Sequence, residues 1–505
     1  MRRVRVLGAC LAGTQAELVT VEARFEGASS GPTDVTITGL PDTVIREGKG
    51  RLLSALEANG LSLPPGHLRL NLVPAARRKS GETLDLPLVL GAAAACGHLD
   101  ARCLRGALFL GEVGLDGDLH AVPGGLAAAL AARARAVTRL VAPRATALEA
   151  AWIPGVAAYG ALRLRQVVAH LCDPQARLPA LEPVEDEPAR AQPERLDEVR
   201  GHASAKLALA AAAAGDHGLL LVGPPGAGKS MLARRLAELL PPPDLEQRIE
   251  ITRVLSAAGR WPGGLARERP LRAPHHTVSH AGLVGGGAPP RAGEITLAHG
   301  GVLFLDELPE FRRDALEALR QPLESGRVLI SRAERRVELP ARFQLVAAMN
   351  PCPCGYLGHA RVPCRCASGQ VERYLRRLSG PLLDRIELRL ELQAPEPGEL
   401  EAAAPPAEVR GAELARRVAR ARELRAARQG ARPNARLEVA ELDEHAPLDA
   451  AARGLLERAA RARSLSARAQ VALRRVARTL ADLDGAAAVA GEHLARALAL
   501  RAWGP

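Results

Sequence analysis

Residues 223–230 read GPPGAGKS, and further along the chain residues 300–308 read GGVLFLDEL. The first stretch fits the pattern G-x-x-x-x-G-K-[ST], in which glycines let backbone N–H groups turn inward around a polyphosphate. The second is an apolar run ending in two acids, as a buried strand does when it delivers carboxylates to a metal and a water. A plain glycine-rich turn before a helix would leave the lysine and the acid pair unexplained. Together the two stretches predict a nucleoside triphosphatase.

The motif assigns a role to each polar side chain in these stretches. Lys229 would reach the β- and γ-phosphates, and the Ser230 hydroxyl and Asp306 would bind Mg²⁺. Glu307 would act on the attacking water. ATP and Mg²⁺ are therefore the expected cofactors. The nucleotide-binding candidates are Gly223, Pro224, Pro225, Gly226, Ala227, Gly228, Lys229, Ser230 and Asp306.

Composition narrows the classes of partner. The chain has 505 residues, a net charge of +12 and 2% aromatic residues. An anionic partner fits the charge, and the scarcity of aromatic rings argues against a platform on which bases stack. Binding that follows a phosphate backbone suits the chain better. Lysine occurs only at positions 49, 79, 206 and 229, so the arginine excess is open to a second interpretation, genome composition.

The pattern along the chain predicts an α/β multidomain fold. Residues 1–172 alternate strands and helices as an α+β domain, and 173–195 form a linker rich in proline and charge. Residues 196–395 form an α/β core around the phosphate loop. After a second linker at 396–408, residues 409–505 form an all-helical lid. No apolar run approaches 18 residues, so we expect no membrane span. The scattered cysteines at 10, 96, 103 and 172 indicate a cytoplasmic protein.

Three further stretches follow the acid strand. The stretch FQLVAAMNP (343–351) is a buried strand that would place Asn350 beside the acid pair, where it can orient water. The stretch SGPLLDRIEL (379–388) places Arg385 at a helix end, from which it can reach the γ-phosphate of a neighbouring subunit. Before both of them, GRVLISRAERRVELP (326–340) predicts a β-hairpin with Arg332, Arg335 and Arg336 at its tip.

This order of motifs resembles the AAA+ superfamily, in particular its Mg-chelatase-like branch. The stretch RAPHHTVSHAGLVGGG (272–287) is similar to the helix-2 insertion of that branch, and nearly the whole chain resembles the bacterial ComM/YifB family. The resemblance implies a homo-hexameric ring that moves along single-stranded, duplex or branched DNA and drives branch migration in natural transformation and recombination. The stretch LSARAQVALRRVARTLADL (465–483) resembles the family's lid, which makes Arg468 the candidate lid arginine at the γ-phosphate.

Two features of the core allow alternative interpretations. The three hairpin arginines are either a solvated tip or, at an insertion facing a ring pore, DNA phosphate contacts. The histidines at 275, 276 and 280 suggest a metal, but no further ligand is near in sequence. We therefore interpret them as polar residues of the insertion.

Residues 1–172 resemble the proteolytic domain of the Lon family. The matching stretches are LPDTVIREGKGRLLSALEANG, RKSGETLDLPLVLGAAAACG and GEVGLDGDLHAVPGGLAAAL. Hydrolysis of that type needs a serine nucleophile activated by a lysine. The serine position falls on Thr83 and the lysine position on Ala127, which cannot act as a base. We therefore expect a scaffold for the ring or for DNA, and not an active protease.

Four of the eight cysteines lie within residues 352–366, as Cys352, Cys354, Cys364 and Cys366. Four thiolates can close a tetrahedral zinc site, although C-x-C spacing is tighter than the usual C-x₂-C. The sequence predicts structural zinc here. Reduced thiols and a disulfide remain the alternatives.

The leading hypothesis for the whole chain is an ATP-driven DNA motor. The alternative is a chelatase-type ATPase that remodels a protein partner. The Lon-like domain and the net positive charge favour DNA as the substrate of the motor. An ATP-dependent protease is excluded, because Ala127 cannot act as its base.

Overall fold

Two α/β units are followed by a set of helices, in the order that the sequence predicts. The computed structural model describes residues 3–27, 30–75, 79, 81–183, 192–287, 290–332, 335–359, 361–393 and 405–504. A mixed α/β architecture with a parallel-sheet core and a helical C-terminal region agrees with the predicted fold class. The likeness of the first unit to the Lon domain and the domain boundaries at 172, 195, 395 and 408 stay predictions.

The N-terminal unit is built on an eight-stranded mixed sheet. Its longest strands pair antiparallel, with Arg3 opposite Arg24 and Ala12 opposite Gln15. Across the sheet the strands follow the order Ala180–Leu181, Ala157–Ala161, Arg139–Pro143, Ala107–Phe109, Arg3–Ala12, Gln15–Gly27, Gly66–Val73 and Thr33–Thr38. A small pair, Glu112–Val113 with Leu119–His120, lies outside it. The helices are Thr43–Ala58, Asp85–Ala95, Gly125–Ala134, Arg144–Ala150 and Leu164–Cys172, with 3₁₀ turns at Glu82–Leu84 and Pro174–Ala176. A further 3₁₀ turn, Pro193–Glu198, packs against the helices Lys229–Leu239 and Gly411–Gln429 of the following units.

The second unit is a five-stranded sheet in which every strand pairing is parallel. Its central strands are buried along their whole length, as in parallel sheets covered by helices on both faces. The strand order is Leu271–Arg272, Val302–Leu305, Gln344–Met349, Leu219–Val222 and Leu388–Glu391. The helices are Ala203–Gly215, Lys229–Leu239, Leu245–Ala257, His280–Val284, Glu294–Leu297, Arg313–Ala318, Arg320–Ser325, Ser368–Leu375 and Gly380–Leu383, with a 3₁₀ turn at Leu308–Glu310.

Two short antiparallel hairpins lie beside this sheet. One pairs Gly285–Gly286 with Arg291–Ala292, and the other pairs Arg327–Arg332 with Arg335–Pro340. The second, which we call the arginine hairpin (residues 327–340), confirms the hairpin predicted over 326–340. Arg336 is exposed opposite Ser331, whereas the side chains of Arg332 and Arg335 lie outside the part of the chain that the structure describes.

The N-terminal unit contacts the second unit through the arginine hairpin and through the helix Leu245–Ala257. A Cβ atom on Gly13, in the first β-turn, would lie 2.5 Å from Val337 of the arginine hairpin. At the other contact, the Ser256 hydroxyl donates to Glu149 Oε2 at 2.5 Å and accepts from the Gly124 N–H at 3.0 Å. Burial raises the pKa of Glu149. The two units therefore meet through close packing and a buried polar contact.

The C-terminal helices share one hydrophobic core with the parallel sheet. Leu414 and Leu473 from these helices belong to the same buried cluster as Leu221 of the sheet. The alanine-rich helix Ala203–Gly215 lies between them and lets its neighbours approach closely. The helices are Gly411–Gln429, Val439–His445, Ala450–Ala462, Ala467–Leu483 and Gly491–Ala499, with 3₁₀ turns at Ala407–Val409 and Asn434–Arg436.

A buried histidine joins the sheet to these helices. His217 Nδ1 lies 2.6 Å from Glu387 Oε2, and His217 Nε2 lies 2.7 Å from Thr479 Oγ1. The network continues through Asn434, whose side-chain amide donates to Thr479 and, at 2.8 Å, to Asp482. His217, Thr479, Asn434 and Asp482 thus satisfy one another by hydrogen bonds, which their burial requires.

Replacing His217 by alanine should destabilise the unit formed by the parallel sheet and the C-terminal helices by about 3 kcal/mol, because Glu387 would stay buried with its closest partner removed. Scanning calorimetry would show the change as a lower melting temperature of the transition that contains this unit. The control is His67→Ala, since His67 has a 62% exposed side chain and its loss should cost less than about 0.5 kcal/mol. Equal melting temperatures for the two variants would contradict the prediction.

Candidate nucleotide site

The phosphate loop leads from a buried strand into a helix. Gly223 directly follows the strand Leu219–Val222. The helix Lys229–Leu239 begins six residues later, and no side chain caps its N-terminus. Its first N–H groups can therefore serve an anion. Gly226 and Gly228 have φ of 79° and 72°, a conformation that glycine adopts without strain.

Lys229 is buried beneath the loop. Its ammonium group donates to the carbonyl oxygens of Gly223 at 2.7 Å and Pro224 at 2.8 Å, and to Asn350 Oδ1 at 3.0 Å. Burial lowers the pKa of Lys229, and the charge of Asp306 opposes that shift. Lys229 is thus aimed along the loop and contacts Asn350, while the position of Asn350 beside the acid pair stays a prediction.

Ser230 and Asp306 meet at the same edge of the sheet. The Ser230 hydroxyl donates to Asp306 Oδ2 at 2.5 Å. Asp306 directly follows Val302–Leu305, and Asn350 directly follows Gln344–Met349, the strand between it and the phosphate-loop strand. A hydroxyl and a carboxylate are hard oxygen donors, so the pair fits Mg²⁺.

Glu307 lies beside this pair in a left-handed backbone conformation, with φ of 53°. Its own N–H donates to Asp306 Oδ1 at 3.0 Å, while its side chain is 56% exposed. His276 Nδ1 lies 3.1 Å from Glu307 Oε2. The sequence interpretation missed this contact and treated His276 only as a polar residue of the insertion. The signal available was a histidine pair placed between the phosphate loop and the acid strand.

Arg385 lies at the amino-terminal ends of the strands, whereas the phosphate loop lies at their carboxyl ends. It precedes the strand Leu388–Glu391 by three residues, and that strand runs parallel to Leu219–Val222. Four residues of strand span about 13 Å, so Arg385 does not approach the phosphates of its own subunit. Its guanidinium contacts Glu324 and the Pro381 carbonyl.

Arg468 is exposed in the first turn of Ala467–Leu483. The residues around it, Ser466 and Ala469, line a cleft together with Asp384 and Arg389. Arg468 therefore lies on the same side of the molecule as Arg385. Neither arginine is brought to the cluster of Lys229, Ser230, Asp306 and Glu307.

The four clustered cysteines converge in space. Their sulfur atoms all lie within 4.8 Å of one another, and Cys352, Cys354 and Cys364 are separated by 3.4–3.7 Å. Zinc–sulfur bonds of about 2.3 Å in a tetrahedron place sulfurs about 3.8 Å apart. The predicted ligand set, which includes Cys366, therefore fits a tetrahedral metal, and we call residues 351–366 the cysteine knuckle.

The cysteine knuckle packs against the phosphate loop. A Cβ on Gly355 would lie 2.6 Å from Pro225 Cδ and 3.8 Å from Asn350 Cγ. Gly355 has φ of 86°, so a side chain would be strained here as well as crowded. The knuckle thus supports one wall of the nucleotide site.

Across the described residues, no helix is long and apolar enough to cross a membrane.

Comparison with known proteins places these features in a family. The family model "Magnesium chelatase, subunit ChlI" matches residues 195–400, and its C-terminal counterpart matches 408–501. A third model, "Subunit ChlI of Mg-chelatase", matches 22–146. A magnesium-chelatase 67 kDa subunit of Chlorobaculum parvum is 29% identical over 136 residues, which is 26% of this chain and 19% of that protein.

The full-length relatives are more similar. Competence protein ComM of Haemophilus influenzae is 41% identical over 97% of this chain and 96% of its own length. The uncharacterized protein YifB of Escherichia coli is 40% identical over 97% and 95%. The chain therefore belongs to the ComM/YifB family of magnesium-chelatase-like AAA+ proteins, and this membership implies ATPase activity with ATP and Mg²⁺.

Proposed function

We propose that this protein is an ATP-hydrolysing motor that acts on DNA as a homo-hexameric ring, a branch-migration helicase of natural transformation and recombination. The observation that carries the proposal is the separation of the site into two halves. Lys229, Ser230 and Asp306 meet at one edge of the sheet, and Arg385 lies at the other. Such a subunit is complete only when a neighbour supplies the arginine.

The chain's own residues bind and orient ATP. Lys229 and the free N–H groups of the following helix would hold the phosphates, while Ser230 and Asp306 would hold Mg²⁺. Bound Mg²⁺ would neutralise part of the negative charge on the phosphate oxygens. Glu307 and Asn350 would orient the attacking water, and the exposure of the Glu307 side chain gives water access to its carboxylate.

Arg385 and Arg468 would act on the nucleotide of the adjacent subunit. Both lie on the side away from their own phosphate loop. A guanidinium brought to the neighbouring γ-phosphate stabilises the charge that develops in the transition state. The contact of Arg385 with exposed Glu324 is one that a subunit interface can exchange for this phosphate.

DNA contact is assigned to Arg332, Arg335 and Arg336 of the arginine hairpin. Support comes from the net charge of +12, from the exposure of Arg336, and from similarity over nearly the whole chain to a competence protein. The N-terminal domain is proposed as a degenerate Lon-like scaffold. The Thr83 hydroxyl donates to the Ala9 carbonyl at 2.8 Å, and the buried Ala127 offers no base, which supports the absence of protease activity.

The alternative function is a chelatase-type ATPase that remodels a protein partner. The three magnesium-chelatase family models favour it. The chelatase subunit, however, matches only 26% of this chain, whereas ComM matches 97%. The two functions differ in their response to DNA.

We also propose that the cysteine knuckle holds a structural Zn²⁺ ion through Cys352, Cys354, Cys364 and Cys366. The convergence of the four sulfurs supports this assignment. Zinc would thereby stiffen the wall beside the phosphate loop.

DNA should stimulate ATP hydrolysis, and replacing Arg332, Arg335 and Arg336 together by alanine should remove that stimulation. Each lost phosphate contact lowers the salt slope of DNA binding by about one unit. The measurements are ATPase rates with single-stranded, duplex and branched DNA, and DNA affinity across a salt series.

Two variants serve as controls for this experiment. Alanine at Arg453, Arg458 and Arg461 removes the same charge from an exposed face of the lid helix Ala450–Ala462 and should retain the stimulation. Lys229→Ala should not bind ATP. Indifference of the wild type to every DNA would favour the chelatase-type alternative, and an unchanged salt slope would exclude the hairpin as a DNA contact.

Arg385→Ala should bind ATP and assemble, yet hydrolyse about 10³-fold more slowly or worse, because transition-state charge would lose its guanidinium. Mixing it with Lys229→Ala should restore part of the activity, since an intact loop then meets an intact arginine. Light scattering must show mixed rings. The matched control is Arg320→Ala, which removes a half-buried arginine paired with Glu317 and should keep hydrolysis. Well-mixed rings without rescue at any ratio would show that Arg385 does not act between subunits.

The purified protein should contain one zinc ion per chain, measured by plasma mass spectrometry. Cys354→Ser and Cys366→Ser should lose it, while Cys172→Ser should keep it because that cysteine is exposed and distant in sequence. Removal of the metal by a chelator should weaken ATP binding, as the knuckle supports Pro225. Protein that takes up no stoichiometric zinc under reducing conditions would show that the thiols are free.

A further inference from the structure

A basic cleft lies beside the candidate nucleotide site, and the proposed function gives it no role. The cleft has a volume of about 330 Å³, and its lining residues are Phe311, Arg313, Arg373, Arg376 and Arg377. One wall follows the acid pair at the end of Val302–Leu305, and the other follows the cysteine knuckle, which continues from the adjacent strand Gln344–Met349. Both walls therefore start from the same edge of the sheet as the phosphate loop, and we call this feature the arginine cleft.

Positive charge is concentrated along the chain that forms the second wall. Residues 351–377 contain five arginines and no lysine, and their one acidic residue is Glu372. This segment thus carries a net charge of +4, which is a third of the +12 of the whole chain. All five side chains are exposed, at positions 361, 365, 373, 376 and 377. Unlike an arginine that satisfies carbonyl groups in the interior, each of these can meet an anion from solvent.

Two guanidinium groups of the cleft are held by carboxylates. Arg377 donates to the Pro309 carbonyl at 3.1 Å and to Glu310 Oε2 at 2.8 Å. Arg376 donates to Glu372 Oε1 at 2.6 Å, and both of these side chains are largely exposed, at 75% and 63%. An exposed ion pair of this kind contributes little to stability, so Arg376 can exchange its carboxylate for another anion.

The other two guanidinium groups have no such partner. Arg373 donates to the Gly369 carbonyl at 3.0 Å. Among the carboxylates that the structure describes, none forms an ion pair with Arg373 or with Arg313 on the facing wall. Positions 373, 376 and 377 are three and four residues apart at the end of Ser368–Leu375, which places them on one helix face. The cleft therefore gathers guanidinium groups whose charge is only partly neutralised.

The arginine cleft has a rigid base. Phe311 is 3% exposed and Tyr374 is 7% exposed, and both belong to one buried cluster. Ile330 and Val337 of the arginine hairpin belong to the same cluster. The two basic features of the subunit are thus fixed to a common core.

The lining of the cleft favours a phosphate backbone over a protein partner. Because Phe311 is buried, the lining offers guanidinium groups and no exposed aromatic or aliphatic side chain. The centres of protein–protein interfaces are depleted of charged residues and enriched in aromatic ones, whereas interfaces with nucleic acid are polar and strongly positive. The planar guanidinium group also presents paired N–H donors that match phosphate oxygens.

We infer that the arginine cleft is a second contact for the phosphate backbone of DNA, separate from the arginine hairpin. The inference rests on the proposed function as a DNA motor and adds a part to its DNA-binding surface. Arg313 and Arg373 bind phosphate oxygens without breaking an ion pair, and Arg376 exchanges Glu372 for phosphate. Since the contact is to the backbone, the affinity that it adds is independent of base sequence and sensitive to salt.

Replacing Arg313, Arg373 and Arg376 together by alanine in the full chain should lower the salt slope of DNA binding by about two to three units. Binding should weaken about tenfold at physiological salt, because the counterions of three phosphates are no longer released. Arg377 is kept, since its removal would also free the Pro309 carbonyl. DNA affinity is measured by fluorescence anisotropy across a salt series, and calorimetry checks that the variant is folded.

The matched control is the triple alanine variant at Arg453, Arg458 and Arg461, which removes the same charge from the lid and should keep the wild-type slope. An equal drop in both variants would show a long-range effect of charge and overturn the inference, as would an unchanged slope in the cleft variant. Combination with the hairpin variant should add the two losses, because the two sites contact different phosphates. Wild-type protein that binds no DNA would contradict the proposed function itself.

A cross-link locates the DNA without relying on a loss of affinity. A benzophenone side chain in place of Glu372 should cross-link to labelled DNA on irradiation, whereas the same group in place of Glu457, an exposed residue of the lid, should not. Millimolar inorganic phosphate at constant ionic strength should leave this cross-link intact. Its removal by phosphate would assign the cleft to the free anion, and a cross-link to a second copy of the chain in place of DNA would assign it to the subunit interface. Either result would overturn the inference.

Discussion

The nucleotide site depends on the parallel alignment of three neighbouring strands, whose carboxyl ends meet at a single edge of the sheet. Because Gln344–Met349 lies between the strand of the phosphate loop and the strand of Asp306, Asn350 reaches Lys229 while Asp306 reaches Ser230. A shift of one residue in the pairing of either strand would turn Asp306 or Asn350 to the other face of the sheet. The buried aliphatic runs that fix the register are therefore as important to the site as its polar residues.

The sequence was sufficient to predict those parts of the candidate site that short motifs encode. The phosphate loop, the acid pair and the strand before Asn350 are short motifs attached to buried runs, and parallel strands bring their carboxyl ends together without further information. Four cysteines close in sequence also predicted their own convergence. The contact between His276 and Glu307 was out of reach, because it depends on the path of a segment whose turns are set by packing against Phe311 and Ile330.

Arginine content was the least reliable indication in the sequence of a surface that binds an anionic partner. Arg478 is 1% exposed and donates to the Ala486 and Ala487 carbonyls and to Asp482, and burial lowers its pKa. Arg389 and Arg425 are likewise buried and donate to backbone carbonyls. Part of the positive charge thus lies on buried arginines that donate hydrogen bonds to backbone carbonyl groups in the interior. Composition alone does not separate such arginines from those that face solvent.

The common core of the lid and the parallel sheet limits how these parts can move. Swinging the lid away would bring Leu414, Val418 and Leu473 into water, at about 1.5–3 kcal/mol for each side chain. Sliding of packed helices by small distances avoids that exposure. The C-terminal helices and the parallel sheet are therefore expected to move together as one rigid body.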